Sequence, residues 1–188
     1  MQASEDNRFI REDFSGISFV SKAFSGCVFE NCIFQGSDFR GAHFSECTFK
    51  SCNLHLVKME GSRFQGALFD ECKVVGGEFF KCDSRFLSFE FRNCILMGCN
   101  FSDLKIKRTS FVGSKVKACH FSNTFLVEAN FRGTDLEGSL FHHVDLSKAD
   151  FREAKNYSID PQANKLSKAQ FSSPEVLSLL NFFDIRIS

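Results

Sequence analysis

The sequence predicts an all-β solenoid, a coil of square cross-section whose turns of about twenty residues stack one on the next. Three observations carry that reading. Apolar residues recur every five positions along most of the chain. Gly returns at one fixed place in that period. The aromatic content is almost all Phe, with 26 Phe against one Tyr and no Trp.

Every fifth residue from Phe9 to Phe79 is apolar. The next step lands on Ser84, and the register resumes at Phe86 and runs to Phe151. All 29 central positions are apolar in a chain of 43% hydrophobic residues, which chance would give with probability roughly 10⁻¹¹. Neither regular element explains a period of five. On an α-helix, five residues advance about 500°, so the Phe side chains would scatter around the axis. On a strand, a step of five alternates faces. A chain that bends once per unit keeps every central residue inside, and four bends close a square. Coils about 4.8 Å apart then make about seven turns and a rod of roughly 35 Å. Phe29, Phe49, Phe69, Phe111, Phe131 and Phe151 are assigned to the interior ladder. Phe suits it because it is large and, unlike Tyr or Trp, has no polar tip needing a partner.

The other positions follow from the central one, called i. Eleven of the twelve Gly fall at i+2, which implies a recurrent turn. All nine Cys fall at i−2, a slot shared with Ser, Thr and Ala, so a small residue precedes each large one. Asp and Asn are frequent at i−1, as in Asp13, Asp38, Asn130 and Asp150.

These patterns divide the chain into an N-terminal tail (1–8), a repeat region (9–153) and a C-terminal cap (154–188). Residues 80–86, FKCDSRF, carry a two-residue insertion that predicts a bulge or kink between two stacked blocks. Phe89 occupies an i−2 slot, so packing beside the break must adjust. Phe80 and Phe125 are placed outward. Glu12 and Lys22 stand in i−2 slots, where a buried unpaired charge is costly, so the first coil is expected to be splayed or to form an open end. In the last segment, SSPE (172–175) reads as a helix start with Ser172 or Ser173 as N-cap, and 176–183 as about two turns of apolar helix. Residues 184–188, DIRIS, alternate like a short strand.

Lys+Arg and Asp+Glu are both 23, so net charge is zero and direct nucleic-acid binding is not expected. The halves differ: residues 1–84 carry a net charge of −3 and residues 85–188 a net charge of +3. Lys105, Lys107, Arg108, Lys115 and Lys117 form a basic stretch. No apolar run approaches a membrane span, and Met1–Arg8 is polar, so a cytoplasmic protein with reduced thiols is expected. No C-x-x-C pair occurs and the five His are placed outward, so no metal site is expected. No carboxylate pair, G-x-S-x-G elbow, P-loop or dinucleotide fingerprint is present. A packed Phe interior leaves no room for a small-molecule substrate. The expectation is a non-enzymatic protein without cofactors.

Units such as SDFRG (37–41), ANFRG (129–133) and TDLEG (134–138) resemble the pentapeptide-repeat family, over about residues 7–153. That resemblance implies a right-handed quadrilateral β-helix with a short C-terminal helix and strand. The tail, from NYSID (156–160) through FSSPEVLSLL (171–180) to DI (184–185), is similar to the albicidin-resistance proteins. Microcin-immunity and Qnr-type quinolone-resistance proteins are more distant relatives of that group. The likeness implies a homodimer formed through Leu177, Leu180, Phe182, Phe183, Ile185 and Ile187. It also implies a DNA-mimicking rod that binds DNA gyrase or topoisomerase IV and counters a toxin or antibiotic. DNA mimicry needs an acidic stripe, and the neutral composition argues instead for a general interaction scaffold with an unrelated partner.

Overall fold

The computed structural model describes residues 3–186. The chain is a β-solenoid of about eight turns. Its strands are short, mostly three residues, as in Ala23–Ser25, Val28–Glu30 and Thr48–Lys50, because the backbone turns a corner once per unit. All pairings between strands are parallel, with Phe9 beside Phe29, Phe29 beside Phe49 and Phe49 beside Phe69.

Each position of the five-residue unit has a physical task. The central residues fill the interior; Phe29, Phe49, Phe69, Phe111, Phe131 and Phe151 are all fully buried. These six lie in one column with Phe9, Phe91 and Phe171. Successive rings in it stack at 4.8–5.5 Å with interplanar angles of at most 20°. Neighbours within a coil meet edge-on instead, as Phe111 does with Phe121 at 88°. Flat rings stack at the rung spacing and tile the square at its corners, which a branched aliphatic side chain does less completely. The i+2 residue takes a left-handed backbone: Gly36 has φ of +66° and Gly133 of +65°. Non-Gly residues at the same place, such as Asn31 and Glu128, adopt φ of 55° and 61°. Gly is the commonest single residue there because only Gly enters that region without steric cost.

The i−2 slot does more than provide space. Cys52 and Cys72 donate Sγ–H bonds to the carbonyls of Phe29 and Phe49 in the preceding coil, at 3.2 and 3.1 Å. Ser37, Thr134 and Ser139 donate to Phe14, Phe111 and Val116 at 2.7, 2.8 and 2.7 Å. The slot therefore selects small donors that satisfy a buried carbonyl. All nine Cys are buried and free. The i−1 carboxylates and amides have a matching role. Asp38, Asn130 and Asp150 accept from the i+1 N–H of Arg40, Arg132 and Arg152, at 3.0–3.1 Å. That N–H faces outward at the turn, and an Asx side chain supplies its acceptor.

The coil is longer at both ends than the expected boundaries. Ala3–Glu5 pairs with Ala23–Ser25, so part of the expected tail 1–8 is a rung. At the other end Asp150–Phe151 pairs with Gln170–Phe171, carrying the solenoid past residue 153 and making about eight turns rather than seven. The fivefold pattern fades there because the last coil uses other fillers. Tyr157 and Ile159 are buried, and Asn164 donates to the carbonyls of Phe141 and Asp160 while accepting from the Val144 N–H. Glu12 and Lys22 are exposed at the open first coil, where Lys22 lies over the Phe19 ring.

The expected C-terminal helix is present and has 3-10 geometry. Glu175–Phe182 is a 3-10 helix preceded by Pro174, and neither Ser172 nor Ser173 caps it through its side chain. The Ser172 hydroxyl instead accepts from the Glu153 N–H at 3.0 Å, which ties the segment to the last coil. Leu179 packs on the end of the core. Asp184–Arg186 form no strand.

Candidate interaction surface

The register break builds the most irregular surface of the rod. Phe79–Lys81 and Ser84–Phe86 are single 3-10 turns that take up the two extra residues. The resumed register begins differently from its sequence pattern. Phe86, read as a central position, is 38% exposed and lies outside under the Arg63 guanidinium, 4.5 Å from the ring centre. Leu87 pairs beside Phe64, the ladder shifts between Ser88 and Phe89, and Phe89 turns into the core. There its ring meets those of Phe79 and Phe91, both at 5.3 Å. A large residue at i−2 thus replaces the one expelled from the centre.

Asp83 anchors the loop. Its carboxylate takes a fork from Arg85 at 2.9 Å and a further bond from Arg63 at 3.0 Å. These cations, Arg85 foremost, hold its carboxyl well below the usual carboxylate range. Ser88 accepts from the Gly66 N–H at 2.7 Å. The next coil remains partly unjoined. His120, Phe125 and Asn130 each donate to the carbonyl twenty-one residues earlier, at 2.8–3.0 Å. Among the described residues, Lys105 and Ser110 make no such bond. Between the separated coils lies a groove of about 550 Å³, with Leu68, Leu87 and Ile106 in its lining and Lys105, Lys107, Arg108, Glu46 and Glu90 around it.

The basic stretch of the sequence is divided by the fold. Lys105, Lys107 and Arg108 border this groove, whereas Lys115 and Lys117 lie in a strand of the adjoining sheet, with Lys117 paired to Glu137 and Asp135. Arg108 binds Glu128 at 2.8 Å, and with Lys148 behind it holds that carboxyl below its usual range.

Elsewhere charge alternates along the rod. Glu30, Lys50, Asp70 and Arg92 are successive neighbours in one column. Cross-rung pairs of opposite sign are favourable and like pairs are not. Asp38, Asp145, Asp150 and Glu153 are each ion-paired to an Arg or Lys. No outward column of the described residues is uniformly acidic. The acidic stripe that DNA mimicry requires is therefore not formed.

A second surface was not apparent from the sequence. The corner that carries Gly36, Gly76 and Gly98 holds Leu56 between them, 59% exposed and at φ of 51°. A bulky apolar residue in that backbone region is uncommon. Exposed Ile33, Ile95 and Met97 lie on the sheet face that ends at this corner, and exposed Phe80 on the unit that follows it. The signal was present as a Leu in a slot otherwise held by Gly, Ala and polar or charged residues.

At the C-terminal end, Leu177, Phe182, Phe183 and Ile185 are 38–56% exposed, Leu180 is half-buried, and Ile187 lies outside the described residues. His43 and His55 are half-buried and His120, His142 and His143 exposed. Among the described residues no group of three or more His, Cys, Asp or Glu is placed to hold a metal ion, and no helix is long and apolar enough to cross a membrane.

A family model described as pentapeptide repeat region matches residues 22–90 and 84–158. A comparison with curated proteins finds no match. Among solved structures, a trypsin-treated variant of QnrB1, a plasmid-mediated fluoroquinolone resistance protein, aligns over 100% of both chains at 19% identity with a TM-score of 0.53. A second trypsin-treated variant of QnrB1 aligns over 100% of this chain and 92% of that one, at 20% identity and a TM-score of 0.51. HetL, a pentapeptide repeat protein involved in heterocyst differentiation regulation in the cyanobacterium Nostoc, covers 89% of this chain and 84% of its own at 15% identity, with a TM-score of 0.52.

Proposed function

The chain belongs to the pentapeptide repeat family, and from that premise we propose that it works without catalysis, as a homodimeric rod that binds DNA gyrase or topoisomerase IV and protects it from a toxin or antibiotic. The observation that carries the reading is the shape: a slender rod with a filled interior, aligned end to end with a fluoroquinolone resistance protein. A packed interior offers no site for chemistry, so the work falls to the outer faces. The exposed apolar side chains of the last segment support the dimer. Leu177, Phe182, Phe183 and Ile185 would be covered by their counterparts across a two-fold axis, doubling the rod.

The ion-paired surface changes how such a rod engages its target. Alternating charge cannot copy the potential of duplex DNA, so recognition rests on outline and on local patches such as Leu56 and Phe80. The same neutral surface favours a second reading, an interaction scaffold with an unrelated protein partner.

A gyrase supercoiling assay with and without albicidin, a quinolone and a microcin-type inhibitor separates the two. Rescue at up to equimolar protein supports protection and identifies the inhibitor class. Inhibition without rescue supports binding alone. No effect on gyrase or topoisomerase IV leaves the scaffold reading. A chain truncated before Ser172 is expected to be monomeric by light scattering; an unchanged dimer would refute the C-terminal interface.

A further inference from the structure

The groove at the register break has features that the regular coils lack. The main-chain N–H of Lys105, in its lining, and that of Ser110, next in the chain to the lining residue Thr109, have no carbonyl partner among the described residues, although the same positions of later coils do. The ammonium groups of Lys105 and Lys107 stand at its border, and neither is ion-paired to a carboxylate among the described residues. The Lys105 ammonium lies over the face of the Phe125 ring, 5.8 Å from its centre, a cation–π contact in place of an ion pair. The floor is apolar, from Leu87 and Ile106. The volume, about 550 Å³, falls within the roughly 300–1,000 Å³ of ligand-binding clefts.

We propose that this groove docks an extended acidic segment of a protein partner. An extended chain offers carbonyls to unpaired N–H groups and sends alternate side chains to opposite sides. One set of side chains would meet the apolar floor, and the other would bring carboxylates to Lys105 and Lys107. The lining carries Arg92, Lys105, Lys107 and Arg108 against Glu46 and Glu90, so its charge is positive on balance and selects an anionic segment over a basic one. The two-residue insertion creates the site, because it is what parts the coils. The proposal stands on the groove's own geometry and does not depend on the topoisomerase reading.

The test uses the full chain and a fluorescein-labelled decapeptide alternating Glu and Val, read by fluorescence polarisation. Saturable binding is expected, weakening as salt is raised. The Lys105→Glu/Lys107→Glu variant should bind at least tenfold more weakly. The control Lys50→Glu/Lys73→Glu, which changes two exposed lysines on other parts of the rod, should bind like the parent. Hydrogen exchange supplies a readout independent of charge. The Lys105 and Ser110 amides should exchange faster than those of His120 and Asn130 in the free protein and slow when peptide is added. Failure of the acidic peptide to bind at millimolar concentration would overturn the proposal. So would equal weakening in the control, unchanged exchange at the two amides, or preference for a basic Lys–Val peptide or a short DNA duplex.

Discussion

The regular coils and the break between residues 80 and 90 use the same residue types to opposite ends. In the regular coils the central apolar residue is buried, as Phe111 and Phe131 are. At the break, Phe86 has the spacing of a central residue yet lies outside beneath Arg63, and Phe89 takes an interior place its spacing denies it. In the coils, main-chain groups pair from rung to rung, and the i−2 donors and i−1 acceptors satisfy what remains. At the break these arrangements lapse, and side chains from Asp83 and Ser88 hold the loop instead. A repeat is stable because every neighbour solves the same packing problem in the same way. One insertion is tolerated when the large filler can be supplied from a nearby position, and the unsatisfied edge it leaves is where a rod acquires a distinctive surface.

The comparison can be broken most directly at its rings. Phe111→Ala should cost about 3–5 kcal/mol in urea unfolding, since it empties a fully buried place in the stack. Phe86→Ala should cost less than about 1 kcal/mol, the scale of an exposed cation–π contact. Equal losses would show that Phe86 is interior and that the register description is wrong.

The role of the i−2 donor can be sharpened by Thr134→Val, which keeps shape and removes the hydroxyl that bonds Phe111's carbonyl. A loss of about 1–3 kcal/mol is expected from the buried acceptor left unpaired. A neutral result would reduce the slot to a matter of size.

The last coil, where the fivefold pattern gives way, has a milder signature. Tyr157 is the only tyrosine, and burial, with Glu175's charge adding, pushes its phenol up to about 12 from an ordinary value of 10.0. The neutral ring is what the fold accommodates. Its contribution is complete below pH 10.0 and is lost as pH rises through about 12. Phenolate absorbance should therefore rise well above the ordinary midpoint, together with loosening of the C-terminal coil. An ordinary midpoint would place the ring in water.

Much of the molecule could be read from spacing alone. Phe at i, small residues at i−2, Asp or Asn at i−1 and Gly at i+2 define the coil, because each answers a local demand of volume, hydrogen bonding or backbone angle. Those demands recur in every unit, so they leave a periodic trace. What the tertiary structure alone decided are the exceptions. The exchange of Phe89 for Phe86, the unpaired edge at Lys105 and Ser110, the separation of Lys107 from Lys117 onto different faces, and the 3-10 geometry of a C-terminal helix tied to Glu153 all depend on what the adjacent coil presents. That neighbour lies about twenty residues away in sequence, and past an insertion the distance changes. Local patterning determines which residues must be buried. Only the stacking of one coil on another decides which of two nearby rings is buried and which main-chain groups remain unpaired.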